Sequence, residues 1–310
     1  MASIAPMMMR RRVLQIKSEG ATKGTVAAGD VHVYAFDVSI NPDDTFIQRK
    51  PVGQTGGNLH GVVGARTGAA KFKVELRSAS TTTLNAGVDL LLKAAGFKLA
   101  TGVYTPTIVE SEQTSLTIDV YEDGLLKRLT GAMGNVVLSA DVGGLIYLDC
   151  DFKGVWVAPT DVALGTAAPA TVVPMRFASS TLTLGAYTPK VGKFSLSLNA
   201  NVILRPDQSK SAGYSYGLIT DVDPTVELDL EADNVATHNA YGLWLAGTNA
   251  DLSMLLQDTT TKATIAGAIQ YRTVAEADRD GVLVHNVVAQ FVNAANPSVG
   301  VPTITIAAVA

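Results

Sequence analysis

The chain has 310 residues, of which 47% are hydrophobic and 17% charged, a balance that excludes a disordered or solvating chain. The net charge is −4, so the chain as a whole lacks the basic character of a nucleic-acid binder. The 28 Gly and 12 Pro, set among frequent Val and Thr, favour many short strands joined by turns.

The N-terminal segment carries three consecutive arginines, Arg10, Arg11 and Arg12. Apolar residues precede this run, whereas a secretory signal peptide has the opposite order, so we expect the chain to be made and to assemble in the cytoplasm. No window approaches the roughly 20 apolar residues of a membrane-spanning helix, and we expect no membrane partner. The arginines are interpreted as part of a solvated N-terminal arm.

Six segments alternate apolar and polar residues with the period of two that an antiparallel strand with one buried face requires. They are residues 31–38, 71–77, 115–121, 145–152, 193–198 and 226–231. The turn-forming run Glu122, Asp123 and Gly124 follows one of these strands and predicts a hairpin. The pattern therefore predicts an all-β fold.

Two segments have the pattern of short helices instead. Residues 85–95 are followed by Gly96, and residues 239–246 are followed by Gly247. Glycine commonly occupies the position just after the end of a helix. We therefore predict a minor α content, with one short helix in each half of the chain.

The two predicted helices belong to an internal repeat. The triplet Val-Glu-Leu precedes the first helix at residues 74–76 and the second at residues 226–228, and later segments also correspond in order and approximate spacing. We therefore predict two tandem β-sandwich domains, residues 1–165 and residues 166–310. A linker rich in Pro, Ala and Thr separates them.

A long polar connection occupies residues 41–68 of the first predicted domain. It is rich in glycine and includes Gly53, Gly56, Gly57 and Asn58. An irregular stretch of this length inside a compact domain is usually functional or disordered. We interpret it as an arm that a neighbouring subunit orders, and these four residues as assembly residues.

The sequence contains no pattern typical of catalysis, of a cofactor or of a metal site. His32, His60, His238 and His285 lack the spacing of metal ligands. Neither a nucleophile elbow nor a phosphate-binding loop occurs. We therefore predict that the protein is not an enzyme and holds neither cofactor nor metal.

A few residues keep narrower alternatives open. Cys150 lies in a predicted strand and is interpreted as a small apolar side chain. Asp149 and Asp151 share one strand face, which leaves a hydrolase with paired carboxylates as a third hypothesis. Trp156 and Trp244 are interpreted as core anchors, with a role in an interface as the sharper alternative.

Residues 121–161 carry a succession of motifs: Asp-Gly, then Gly-x-x-Gly-Asn, then a strand that ends in Phe-x-Gly-x-Trp. The matching positions are Asp123, Gly124, Gly131, Gly134, Asn135, Gly144, Phe152, Gly154 and Trp156. This succession resembles the major tail tube proteins of bacteriophages with long, flexible tails. The second half of the chain is similar in outline but lacks the Phe-x-Gly-x-Trp ending.

The resemblance implies a structural virion protein of the tail that self-assembles. Family members join neighbouring β-sandwiches into a ring-shaped β-barrel, and the rings stack over a tape-measure protein between tail-tip and terminator proteins. DNA passes through this conduit at ejection without specific binding. Most rings are hexamers, so a duplicated domain implies a trimeric pseudo-hexamer. We expect the segment from Gly131 to Trp156, with Gly134, Phe152 and Gly154, to take part in assembly together with the N-terminal arm.

A second hypothesis, from another class, is a β-sandwich module of the virion that binds a receptor or a carbohydrate. It predicts an exposed aromatic cluster, whereas the 8 Phe, 9 Tyr and 2 Trp are scattered along the chain. Self-assembly into rings separates the tail tube hypothesis from this one.

Overall fold

The computed structural model describes residues 7, 8, 10–43, 45–53, 56–80, 82–165, 167, 172–258, 261–292 and 301–309. Within these residues the chain forms 22 β-strands and two short α-helices, which confirms the predicted β-rich fold with few helices. In the same described part, no helix is long and apolar enough to span a membrane.

The strands of the first half are β1 Arg12–Ser18, β2 Val31–Val33, β3 Ala35–Pro42, β4 Phe46–Arg49, β5 Leu59–Val63, β6 Thr67–Glu75, β7 Ser78–Ser80, β8 Thr83–Leu84, β9 Phe97–Ala100, β10 Val103–Pro106, β11 Leu116–Glu122, β12 Leu125–Asp141 and β13 Tyr147–Asp161. Those of the second half are β14 Arg176–Leu184, β15 Val191–Ser197, β16 Asn201–Pro206, β17 Tyr214–Asp221, β18 Thr225–Glu231, β19 Asn249–Gln257, β20 Thr261–Arg279, β21 Val282–Phe291 and β22 Thr303–Ala308. Helix α1 spans Ala86–Ala94, helix α2 spans Ala240–Ala246, and a 3-10 turn spans Glu110–Glu112.

Both predicted helices are present, and an asparagine caps the start of each. The Asn85 side chain accepts a hydrogen bond from the Gly87 amide at 3.0 Å, and the Asn239 side chain accepts one from the Gly242 amide at 2.7 Å. Such a cap satisfies an amide that has no partner inside the helix. Gly247 ends α2 with a φ of 62°, the left-handed conformation that glycine adopts at low cost.

The strand pairings of the first half recur in the second half in the same order. The antiparallel series β1–β11–β12–β13–β6–β3 is matched by β14–β19–β20–β21–β18–β15. Each half also contains one helix and a hairpin outside the large sheet that follows the last strand of its series, β4–β5 after β3 and β16–β17 after β15. The first half has a further short pair, β7–β8. We call the first set of elements repeat 1 and the second set repeat 2.

Both repeats belong to one 16-stranded sheet and share one hydrophobic core. In repeat 1, Phe72 and Phe152 stack with ring centroids 5.9 Å apart, and α1 buries Leu91 in the same core. The division into domains near residue 165 stays a prediction. Of the predicted linker, residues 166 and 168–171 lie outside the described residues.

The expectation of a solvent-facing polar side is wrong for β11. Thr117 and Asp119 alternate in sequence with Ile118 and Val120, yet all four are fully buried. The polar face is covered because the segment between β1 and β2 folds over it, where the Gly29 amide donates to the Asp119 carboxylate at 3.0 Å. A period of two predicts the strand but does not show whether another segment covers its second face.

The expectation of an irregular connection over residues 41–68 is wrong in part. β4 and β5 pair antiparallel within it, with Phe46 opposite Val63 and Ile47 opposite Val62. The connection therefore contains a hairpin whose tip holds the glycines.

Candidate assembly surfaces

A strand junction joins the two repeats inside one chain. β15 pairs antiparallel with the end of β12, with Leu138 opposite Leu196 and Ala140 opposite Phe194, and all four side chains are buried. β11 pairs only with the beginning of β12, so β15 occupies the part of the same strand edge that β11 leaves open. The outermost strand of repeat 2 thus continues the sheet of repeat 1.

The β16–β17 hairpin, which follows β15, lies across β12 and β13 of repeat 1. A Cβ atom at Gly131 would lie 2.6 Å from the Tyr216 Cα, and one at Gly217 would lie 2.9 Å from the Met133 Cβ. Gly131 also has a φ of 59°, which larger side chains rarely adopt. Gly131 therefore allows the hairpin backbone to approach the sheet closely.

The other residues of the glycine motif shape the same pair of strands. Gly134, Phe152 and Gly154 are buried on β12 and β13. A Cβ atom at Gly134 would lie 2.3 Å from the carbonyl oxygen of Asp151. Trp156 is half-buried and packs against the core. Within one chain, then, these predicted assembly residues form the sheet on which the second repeat's hairpin rests.

Polar contacts hold the hairpin in place. The side-chain amide of Gln113 donates to the backbone carbonyl of Ile219 at 2.8 Å and accepts from the backbone N–H of Ile219 at 3.0 Å. The Tyr216 hydroxyl donates to a Glu110 oxygen at 2.5 Å and accepts from Arg205 at 2.5 Å. The hydrogen bond between Tyr216 and Glu110 lowers the pKa of Glu110 and raises the pKa of the Tyr216 phenol. Docking of the hairpin is thus specific as well as apolar.

A buried carboxylate that the sequence did not reveal supports this surface. Glu19 accepts hydrogen bonds from the amides of Gly24 and Gly131, both at 2.6 Å, and from the hydroxyls of Ser115 at 2.6 Å and Thr117 at 3.0 Å. Glu19 directly follows β1 and precedes a polar turn. An exposed glutamate gives the same sequence pattern there, so the pattern does not indicate burial. The Glu19 side chain ties β1, β11 and β12 together at the residue that β17 contacts.

The open strand edges include one in each repeat that corresponds to a strand of the junction. In the part of the chain that the structure describes, β3 pairs on one edge alone, with β6, and residues 272–279 of β20 pair on one edge alone, with β21. These two strands are the counterparts of β15 and β12, which pair with each other inside the chain. Trp244 lies beside the open edge of β20, where its indole N–H donates to the Arg272 carbonyl at 3.0 Å. Since Trp244 is 44% exposed, the interpretation of it as a core anchor is wrong.

The arginines of the N-terminal run differ in their surroundings. Arg10 is exposed, whereas Arg11 pairs with Asp123 at 2.6 Å and Arg12 pairs with Glu122 at 2.8 Å. Arg12 begins β1 and is partly buried, so the interpretation of the run as a solvated arm is wrong at this residue. The two ion pairs attach the start of the chain to the β11–β12 hairpin.

The predicted assembly residues of the 41–68 connection lie at the tip of the β4–β5 hairpin. Gly53, Gly56, Gly57 and Asn58 are all exposed there, and residues 54 and 55 between them lie outside the described residues. This tip is separate from the β12–β13 surface, so the predicted assembly residues belong to more than one place on the molecule.

The residues considered for catalysis have structural surroundings. Asp149 pairs across strands with Lys73 at 3.2 Å, and Asp151 pairs with Lys71 at 2.9 Å. Among the described residues, no group of three or more His, Cys, Asp or Glu side chains is placed to hold a metal ion. The carboxylates thus belong to a ladder of ion pairs on the polar face of the sheet.

Cys150 is expected to be chemically inert in the folded chain. The residue is buried, and burial raises the pKa of its thiol, whereas the thiolate is the form that reacts. We expect no reaction with Ellman's reagent at mildly alkaline pH, and reaction of this single thiol after unfolding in guanidinium. Rapid release of thionitrobenzoate by the native protein would contradict the assignment.

Comparison with known proteins points in one direction. A profile of the family described as "Phage tail tube protein" matches residues 9–306. That span contains both repeats, the β4–β5 and β16–β17 hairpins and most of β22. No curated protein sequence matches the chain.

Proposed function

Because the chain belongs to the phage tail tube protein family, we propose that its copies join edge to edge into rings that stack to form the tube of a phage tail. The observation that carries this proposal is the pairing of β15 with β12 inside the chain. It supplies a geometry in which one repeat extends the sheet of the next. Repetition of that geometry between chains turns an open edge into a paired one.

The strands for this contact are β3 of one copy and β20 of its neighbour. β3 is the counterpart of β15, and residues 272–279 of β20 are the counterpart of the end of β12. Unpaired strand edges favour association, and closure into a ring removes them. The two edges differ, so the contact is heterologous, as a closed ring of three or more copies requires.

The number of chains per ring follows from the two repeats. If each repeat takes one place in a six-fold arrangement, three chains close a trimeric pseudo-hexamer. A ring of six chains is the alternative. The duplication therefore favours the trimer, since the junction inside the chain and the junction between chains are then equivalent.

The polar face of the joined sheet is proposed to line the channel. On this face, the cations of Lys71 and Lys73 are paired with Asp151 and Asp149. Lysines that are paired with carboxylates attract phosphates less than unpaired lysines do, and the net charge of −4 adds repulsion. Such a surface suits a conduit through which DNA slides at ejection.

Negative-stain electron microscopy with light scattering tests the proposal. We expect the purified chain, as its concentration is raised, to form rings with a central channel. Their mass should be three times the 32.3 kDa of one chain, or a multiple of that for stacks. A monomer at every concentration, also in the presence of tape-measure and tail-tip proteins, would contradict the proposal and favour the receptor- or carbohydrate-binding module.

A further inference from the structure

The β4–β5 hairpin carries an apolar surface that no other described part of the chain covers. Its members are Phe46, Ile47, Leu59, Val62 and Val63, all exposed, with Phe46 at 65% and Val63 at 54%. Phe46 is opposite Val63 and Ile47 is opposite Val62, so these two pairs lie on opposite faces of the hairpin. Exposed apolar side chains on both faces mark an interaction site, and a two-stranded hairpin is marginally stable by itself. We call these five side chains the hairpin surface.

The corresponding hairpin of repeat 2 is not exposed, because repeat 1 covers it. On β17, Tyr216 and Ile219 are buried. The Ile219 side chain reaches the end of α1, where a Cβ atom at Gly96 would lie 2.8 Å from its Cδ1 atom. The Cδ2 atom of Leu198, which directly follows β15, would lie 3.7 Å from the same Cβ atom. The end of α1 and the adjoining β12 thus form the surface that receives the hairpin inside the chain.

The equivalent receiving surface of repeat 2 is open in the described part of the chain. At the end of α1 the two residues before Gly96, Ala94 and Ala95, are fully buried. In α2 the last turn before Gly247 instead exposes Leu245 at 76%, next to the exposed Trp244. Repeat 2 therefore exposes apolar side chains at the helix end whose counterpart in repeat 1 is buried and adjoins the hairpin.

We propose that the β4–β5 hairpin of one copy docks on the end of α2 and the adjoining β20 of a neighbouring copy. The contact repeats between chains what β16–β17 makes with α1 and β12 inside the chain. It rests on the proposed function, since β3 leads directly into the hairpin, and pairing of β3 with a neighbour's β20 carries the hairpin over that neighbour. The occupant of the α2 surface is thus a second copy of this chain.

Three single variants of the full chain test the contact. Val63→Asp alters the hairpin surface, Leu245→Asp alters the α2 surface, and Val142→Asp is the control, because Val142 is 64% exposed on the loop between β12 and β13. All three side chains are exposed, so we expect thermal melting of the monomers to stay close to that of the parent. We expect V63D and L245D to raise the concentration for half-maximal assembly by roughly tenfold or more, and V142D to leave it unchanged.

A mixture of V63D and L245D gives a further readout. Each variant keeps one intact surface, so the hairpin of L245D docks on the α2 surface of V63D, and we expect dimers in the mixture but not in either sample alone. If V63D and L245D form rings as readily as the parent, the hairpin contact is overturned while the ring proposal stands. If the parent chain itself never assembles, the proposed function fails and the hairpin contact fails with it.

Discussion

Replacing Glu19 by leucine is expected to lower the free energy of unfolding by about 3–5 kcal/mol. The carboxylate is the shared acceptor for two backbone amides and two hydroxyls. Leucine offers no acceptor, and each buried donor left without one costs roughly 1–3 kcal/mol. Urea denaturation followed by far-ultraviolet circular dichroism measures the loss. The control Glu227→Leu changes an exposed glutamate on β18 and should cost less than about 1 kcal/mol.

The loss at Glu19 should be uneven across the molecule. Gly131, whose amide Glu19 holds, is the residue that the β17 backbone contacts at Tyr216. We therefore expect hydrogen exchange in Glu19→Leu to rise more in the β16–β17 hairpin than in β20 and β21, which lie in repeat 2 away from this carboxylate. Equal increases in the two regions would contradict the role given to Glu19 as a support of the docking surface.

Local features of the fold could be predicted from the sequence because neighbouring residues determine them. The run from Glu122 to Gly124 predicts a hairpin, and Asp123 and Gly124 do turn there with φ values of 44° and 109°. Gly96 and Gly247 mark the ends of both helices for the same reason. Here the backbone requirement and the residue that satisfies it are adjacent in sequence.

The buried polar residues could not be predicted, because their partners are remote. Glu19 and Gly131 are 112 residues apart, and neither lies in a motif that refers to the other. Asp119 occupies a polar position of an alternating strand. An exposed carboxylate gives the same pattern, so the sequence does not distinguish the two. Water is excluded from Glu19 and Asp119 only because the segment after β1 folds over them.

The glycine motif lies at a contact inside the chain, and its part in contacts between chains stays a prediction. Gly131 and Gly134 permit close approach of other backbone, and the backbone at Gly131 belongs to β17 of the same chain. Corresponding segments of the two repeats contain similar types of residue. In repeat 1 the segment is covered within the chain, whereas in repeat 2 it is exposed. The difference appears only when burial is compared, as between Ala94 and Leu245.

Replacing Arg128 by methionine is expected to lower the free energy of unfolding by about 3–5 kcal/mol, because it leaves a buried carboxylate without its counter-ion. Asp119 is fully buried, and the guanidinium of Arg128 donates to its two oxygens at 2.6 and 2.8 Å. Those bonds raise the pKa of Arg128. After the substitution Asp119 would keep the hydrogen bond from the Gly29 amide but would lose its counter-ion.

The matched control for Arg128→Met is Arg272→Met, which removes an equally well-oriented pair from the surface. Arg272 donates to both oxygens of Asp223 at 2.8 and 2.5 Å, but the two side chains are 37% and 56% exposed. Water and salt compensate an exposed pair, so its loss should cost less than about 1 kcal/mol. Urea midpoints of both variants, measured below the concentration of assembly, compare the two directly. Similar losses would mean that burial is not the source of the Asp119–Arg128 contribution, whereas a large difference assigns it to the covering of β11 by the segment that follows β1.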